Sequence, residues 1–186
     1  MSKLSVPLAV GIATATLLIG TAFGYYISPE YQGTMYENQD MGLGTADRWL
    51  DLRYINTMIA HHRGAILVGK QLEKSERPEL QDLSKAIQTG EPKLIAELYQ
   101  WKKEWYNDTR QVKDPKVPNL GEYNKTFDLR ALNTLIAHHT AGIEMTKEVR
   151  LKTSRTEIID NADAVENFLK GGIESLKALR KNWYGI

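Results

Sequence analysis

The chain has 186 residues, of which 42% are hydrophobic and 25% charged, and its formal net charge is +1. Its length predicts one domain or two small ones, and the near-neutral charge argues against a nucleic-acid partner. The absence of cysteine excludes disulfides, cysteine-ligated zinc, blue copper and thiol catalysis. Only four histidines are left for soft-metal or acid–base chemistry.

The N-terminal segment predicts a membrane anchor. Residues 4–27 contain no charged side chain, and at about 1.5 Å per residue a helix of this length spans a hydrocarbon core of about 30 Å. Lys3 precedes the run, while Tyr25 and Tyr26 close it, which is the order expected for an inside N-terminus. We therefore expect a single-pass protein of the cell membrane, with its bulk on the extracytoplasmic side. A cleaved signal peptide that leaves a secreted or periplasmic protein is the alternative.

The rest of the chain divides into a linker and a duplicated unit. Residues 28–45 are polar and aperiodic and are typical of a linker. Residues 51–70 and 128–147 align at a constant offset of 77, and with one inserted residue Trp105 aligns with Trp183. A period this long indicates a duplicated supersecondary unit. The predicted domain is 46–186, with repeat 1 over 46–106, a loop over 107–123 and repeat 2 over 124–186.

Each repeat predicts two helices. The first helices are expected over about 45–74 and 126–152, and the second begin near Pro78 and Ser154 and end at the two Trp-Tyr pairs. Ser154 and Glu157 have the spacing of a capping box. Since a lone amphipathic hairpin leaves one face unburied, the two must pack together. The predicted fold class is all-α, an antiparallel four-helix bundle of two hairpins preceded by a transmembrane helix.

All four histidines lie in two Ile-Ala-His-His motifs, at equivalent positions of the duplicated helix. A helical wheel places His62 and His139 at the centre of the apolar faces, with His61 and His138 on their flanks. A buried imidazole needs a partner for its polar nitrogen. Two pairs brought into one bundle therefore predict a transition-metal site, for copper, or for zinc or another divalent ion.

These residues also resemble a known family. Asp51, then Met58-Ile-Ala-His-His and Ala65-Ile66, followed by a second helix with Glu91 and Trp101, is similar to domain of unknown function 305. The similarity extends over about 46–105 and again over 126–184. It implies a ferritin-like helical bundle, an exported protein and, in some members, copper bound through histidine and methionine. Motif methionines are replaced by Leu135 and Val68, which argues against a methionine-rich copper store and leaves a single histidine-dominated site.

Together these observations predict copper binding, buffering or delivery rather than catalysis. The expected ligands are His62 and His139 at the centre and His61 and His138 beside them, supplemented by the soft sulfurs of Met58 and Met145. Asp51 and Asp128 are expected to orient ligands or to be helix-end charges, because eleven residues separate each from its own His62 or His139.

Two alternatives remain open from the sequence. In the first, the chain is a helical interaction or scaffold module, and its histidines are hydrogen-bonded core residues. In the second, the histidine cluster carries redox or hydrolytic catalysis. No Glu-x-x-His or His-Glu-x-x-His motif supports that second alternative. The protein partner is not indicated.

Overall fold

The computed structural model describes residues 42–186. The predicted membrane segment over residues 4–27 and the linker up to residue 41 lie outside the described residues. Within 42–186 no helix is both long and apolar enough to cross a membrane. The secondary structure of this part is helical, as the duplicated periodicity predicts.

Four α-helices form two hairpins. Helix α1 is Leu50–Gln71 and continues as a 3₁₀ turn, Leu72–Lys74. It pairs with α2, Pro78–Tyr106; in the second hairpin α3, Phe127–Arg150, pairs with α4, Thr156–Tyr184. The two hairpins meet mainly through α1 and α3. The four-helix organisation predicted from the repeat is confirmed.

Some helix ends differ from the prediction. Residues 45–49 form bends and turns before α1, so that helix starts five residues later than expected. Arg155, and not Ser154, is the N-cap of α4, and it makes no side-chain cap bond. The predicted capping box is absent because Thr153 Oγ1 accepts from the Arg155 N–H and itself donates to Asp51. Helix α2 continues through Pro92.

The core has two apolar clusters, one on each side of the four histidines. The Met58 cluster joins the start of α1 to the end of α3, and its buried members are Leu43, Leu50, Tyr54, Ile55, Met58, Ile59, Leu98, Met145, Val149, Ile158 and Ala162. The Leu135 cluster joins the end of α1 to the start of α3, with Val68, Leu72, Leu80, Leu120, Phe127, Ala131, Leu132, Leu135, Ile136 and Leu176. The helices α1 and α3 are therefore antiparallel, and their midpoints cross at the histidines.

A clamp at one end of the bundle ties the first hairpin to the second. Asp51 on α1 accepts from Thr153 Oγ1 at 2.7 Å and from Arg155 Nε at 3.1 Å, both in the turn between α3 and α4. The Arg155 guanidinium in turn lies 4.2 Å from the ring centroid of Trp105 on α2. The clamp therefore joins α1 and α2 of the first hairpin to the turn between α3 and α4 of the second.

The other end of the bundle repeats this clamp with the hairpins exchanged. Asp128 on α3 accepts from Ser75 Oγ at 2.7 Å and from Arg77 Nε at 3.1 Å, in the turn between α1 and α2. Arg77 lies 4.1 Å from the ring centroid of Trp183 on α4. These residues follow the offsets of 77 and 78 seen in the sequence, so the duplication extends to the side-chain contacts that join the hairpins.

Candidate metal centre

The two histidine pairs meet at the centre of the bundle, and we call the four side chains the histidine layer (His61, His62, His138 and His139). The rings of His61 and His138 stack across the interface between α1 and α3, with centroids 3.8 Å apart and planes inclined by 4°. Within each pair the neighbouring rings are 6.0 and 6.2 Å apart. The four imidazoles therefore form one contiguous group.

The stacked rings are buried and neutral. Burial holds the pKa of His61 well below its usual range, and the other three histidines lower it further. Burial also lowers the pKa of His138 to about 3, with added effects of His139 and His62. The buried His138 Nε2 has no hydrogen-bond partner among the described residues. An unpaired imidazole nitrogen in a dry core is costly, and its lone pair is the form that binds metals.

The outer histidines face the second helix of their own hairpin. His62 Nδ1 lies 2.5 Å from Glu91 Oε2 on α2, and both side chains are largely buried. The His139 ring packs against Gly172 on α4, where an added Cβ would lie 2.6 Å from His139 Nε2. Burial lowers the pKa of His139 to about 4, an effect partly offset by the nearby Leu135 backbone and by the Glu91 carboxylate. Its buried Nδ1 has no hydrogen-bond partner among the described residues.

This arrangement differs from the helical wheel in one respect. The wheel placed His62 and His139 at the centre of the shared site, whereas the structure joins His61 and His138 across the hairpins. The most apolar face of α1 packs against α2, and that of α3 against α4. The side chains on the flank of each face then form the contact between α1 and α3. A helical wheel drawn for one helix does not show which face meets which neighbouring helix.

The two methionines lie on the same side of the histidine layer, in the Met58 cluster. Met58 precedes His61 by one turn, about 4.5 Å along the helix axis, while Met145 follows His138 by two turns, about 10 Å. The positions related to them by the repeat, Leu135 and Val68, lie in the other cluster. Within residues 42–186 the thioether sulfurs therefore lie on one side of the layer, and Met58 is nearer to it than Met145.

Asp51 and Asp128 are not in the layer. The clamps hold both oxygens of each carboxylate at opposite ends of the bundle. Eleven residues of helix, about 16 Å, separate each from the outer histidine of its own hairpin. The structure therefore places these aspartates where they join the two hairpins.

A strap, residues 112–118 of the connection between the repeats, lies against α1 and α2 next to the layer. The Tyr99 hydroxyl accepts from the Val112 N–H at 2.9 Å, and Arg63 Nε donates to Asp114 at 2.5 Å. A Cβ placed on Gly64 would lie 3.3 Å from Pro115 Cγ and 3.6 Å from His138 Cε1. The strap thus lies over the same part of α1 as the His138 ring.

No preassembled site is present in the described part of the chain: no three His, Asp or Glu side chains of residues 42–186 are grouped so that they could hold a metal ion. The lone pairs of two parallel stacked rings lie in their own planes and do not converge. One ring must therefore turn for His61 and His138 to share an ion. The buried donors are imidazole nitrogens with thioether sulfur on one side, a set that suits copper(I).

The sequence predicts no role for Glu91 or for the strap. Glu91 is part of the family pattern, and its position opposite His62 follows from the pairing of α1 with α2. The strap carries only loop signals, namely Pro115, Pro118 and Gly121, and these do not indicate what a loop covers.

Residues 51–126 match the family model described as Domain of unknown function (DUF305). The predicted family resemblance is confirmed. The DUF305 match includes the first repeat and the connection that contains the strap. A search of curated protein sequences found no match.

Solved structures of CopM are similar to this chain. CopM in the Cu(I)-bound form is 28% identical with a TM-score of 0.65, over 74% of this chain and 100% of that chain. CopM in the Ag-bound form, obtained by co-crystallization, is 26% identical with a TM-score of 0.64, over 73% of this chain and 98% of that chain. The apo form gives the same four values as that Ag-bound form.

Proposed function

We propose that this protein binds copper, chiefly as Cu(I), in the histidine layer, and that its role is copper binding, buffering or delivery. The observation that carries the proposal is the meeting of both histidine pairs in one buried group, where His138 Nε2 lacks a hydrogen-bond partner. The similarity to CopM in its Cu(I)-bound and Ag-bound forms supports the same class of metal.

The ligand set follows from position. His61 and His138 are the proposed central ligands, since they alone contact each other across the hairpins. His62 and His139 flank them, and Met58 is the nearest sulfur. Met145 is the more distant supplement. Imidazole with thioether favours Cu(I) over zinc, because sulfur is a soft ligand. Asp51 and Asp128 are not proposed as ligands.

The test compares the full chain in mild detergent with a variant in which all four histidines are alanine. Cu(I) is titrated against a chromophoric chelator, with zinc and Cu(II) titrated in parallel. We expect the native chain to take Cu(I) from the chelator and the variant to fail. Circular dichroism of both proteins separates loss of ligands from loss of fold. Equal and weak Cu(I) binding by two folded proteins would contradict the proposal and favour the scaffold alternative.

We also propose that residues 4–27 tether the bundle to the membrane, with residues 42–186 on the extracytoplasmic side. The uncharged run and its flanking residues support this proposal. Membranes from expressing cells are washed with alkaline carbonate, and the N-terminus of the retained protein is sequenced. A tether remains in the membrane with residues 1–27 present. Release of a chain that begins after residue 20 would favour the cleaved signal.

A further inference from the structure

One carboxylate reaches the histidine layer. Glu91 on α2 approaches His62 Nδ1 to 2.5 Å, with side chains only 13% and 7% exposed. The Glu91 carboxylate also raises the pKa of His139 in the other hairpin, so its electrostatic effect extends beyond the His62 ring. The aspartates Asp51 and Asp128, by contrast, are held in the clamps.

The contact between Glu91 and His62 determines which ring nitrogen is available. An ionised carboxylate has no proton to donate, so His62 Nδ1 must carry the hydrogen of this bond. In the neutral form of the ring, Nε2 then holds the lone pair. Metal-binding histidines generally donate their other N–H to a carboxylate or carbonyl, which sets the tautomer and the orientation of the ring.

The second hairpin lacks a contact equivalent to that between Glu91 and His62. The repeat offset of 78 places Leu169 at the position of Glu91, and Leu169 is a buried apolar residue next to Gly142. His139 therefore has no carboxylate partner on α4. The two outer histidines occupy equivalent positions on α1 and α3 but have different partners.

We propose that Glu91 is a positioning residue, which fixes the Nδ1–H tautomer of His62 and presents His62 Nε2 to the copper ion. The inference rests on the proposed copper site and deepens it, because it selects His62 over His139 as the third imidazole ligand beside His61 and His138. Glu91 acts through His62 and does not itself touch the metal.

The test uses Glu91→Gln and Glu91→Leu in the full chain, with Glu97→Gln and Glu97→Leu as the matched controls. Glu97 is an exposed residue of the same helix, and its substitution removes the same charge. Gln keeps an oxygen that can accept the Nδ1–H but loses the charge, so we expect Glu91→Gln to lower Cu(I) affinity by up to about tenfold, and Glu91→Leu, which removes the acceptor, to lower it by about 10- to 100-fold. Glu97→Gln and Glu97→Leu are expected to leave Cu(I) affinity unchanged. Native affinity in folded Glu91→Leu would overturn the inference.

A double-mutant cycle separates positioning from general stabilisation of the fold. If Glu91 acts through His62, adding Glu91→Gln to His62→Ala changes Cu(I) affinity no further. Full additivity of the two changes would overturn the inference. The same measurement with His139→Ala is the control, and there the effect of Glu91→Gln is expected to persist.

The tautomer is measured without copper, by long-range ¹⁵N–¹H correlation spectra of the imidazoles in the native apo protein. We expect His62 as the Nδ1–H tautomer, and this reading stands even if Glu91→Gln fails to fold. An Nε2–H tautomer for His62 would overturn the inference. Failure of the proposed function is a different result: the native chain and the four-histidine variant would then bind copper equally, whatever the tautomer.

Discussion

The two hairpins share their structural contacts but differ around the histidines. The clamp of Asp51, Arg155 and Trp105 has the same geometry as its counterpart at the other end of the bundle. Near the layer the repeat diverges, since Glu91 corresponds to Leu169 and Met58 to Leu135. The contacts that hold the bundle together are thus kept twice, whereas within residues 42–186 Glu91, Met58 and Met145 each have an apolar residue at the equivalent position of the other repeat.

Low pH is expected to have the largest effect on the free energy of unfolding, because it favours protonation of buried histidines in both hairpins. The pKa of His138 is lowered by burial to about 3 and that of His139 to about 4, and that of His61 is also lowered. In the unfolded chain their pKa values are about 6.5. The unfolded state therefore binds more protons below pH 6.5, and the free energy of unfolding falls as the pH falls.

A histidine that is neutral in the folded state and protonated in the unfolded state adds about 1.4 kcal/mol per pH unit to this slope. Urea unfolding of the apo protein at several pH values measures it. His138→Gln removes one such group and should reduce the slope by up to about 1.4 kcal/mol per pH unit. A slope that is unchanged in this variant would show that His138 is already protonated or exposed in the folded state.

Loss of either clamp is expected to have the next largest effect on the free energy of unfolding, and the decrease should be the same for the two clamps. Asp51→Ala and Asp128→Ala each remove two hydrogen bonds, one of them to a charged arginine. We expect each to lower the free energy of unfolding by about 2–3 kcal/mol. The clamps lie at opposite ends, so the double variant should show the sum. Denaturant unfolding checks this, and a difference above about 1 kcal/mol between the single variants would contradict equivalence.

A neighbouring pair of glycines tests the close approach of α4 to His139. A Cβ on Gly172 would lie 2.6 Å from two atoms of the His139 ring, whereas a Cβ on Gly171 meets nothing within 4 Å. Gly172→Ala should therefore destabilise the fold by about 1–3 kcal/mol through overpacking. Gly171→Ala should stabilise it by about 0.5–1 kcal/mol, because glycine is unfavourable within a helix. Thermal unfolding measures the change in stability of each variant. A change in the same direction for both would contradict the close contact between Gly172 and the His139 ring.

Moving the methionine from position 58 on α1 to the equivalent position 135 on α3 is expected to have the smallest effect, which is on Cu(I) affinity. Met58→Leu should weaken Cu(I) binding about tenfold, or about 1.4 kcal/mol, and leave zinc affinity unchanged because zinc does not need the thioether. Adding Leu135→Met to this variant should restore part of the Cu(I) affinity from the other side of the layer. Chelator competition measures both. An equal loss for zinc would indicate that Met58 acts only through packing.

The sequence predicted the parts of the structure that are local or repeated. The helices and their pairing followed from periodicity and from the offset between Trp105 and Trp183. The repeat proved longer than the aligned motif: Leu43 and Leu120 are related by the same offset, and their carbonyls accept from the equivalent Arg53 and Arg130. The shared Leu-Gly sequence at residues 43–44 and 120–121 was the available signal.

The remaining differences depend on tertiary packing. Which face of α1 meets α3 determines that His61, and not His62, stacks on the opposite hairpin. This choice depends on the whole bundle, including close approaches such as that of His61 to Gly142. The course of the strap along α1 is likewise decided by contacts far apart in sequence, such as Arg63 with Asp114.

The crossed clamps also bear on how such a fold could be assembled from single units. Each aspartate finds its arginine only in the other hairpin, so a lone hairpin could satisfy Asp51 only by associating with a second copy about a two-fold axis. Joining the two copies by residues 107–126 makes that association intramolecular and independent of protein concentration. It also allows the two halves to diverge. The first repeat can carry a glutamate at position 91 while the equivalent position of the second repeat carries Leu169. A covalently linked pair can thus carry one asymmetric site, which a symmetric dimer of identical chains cannot encode.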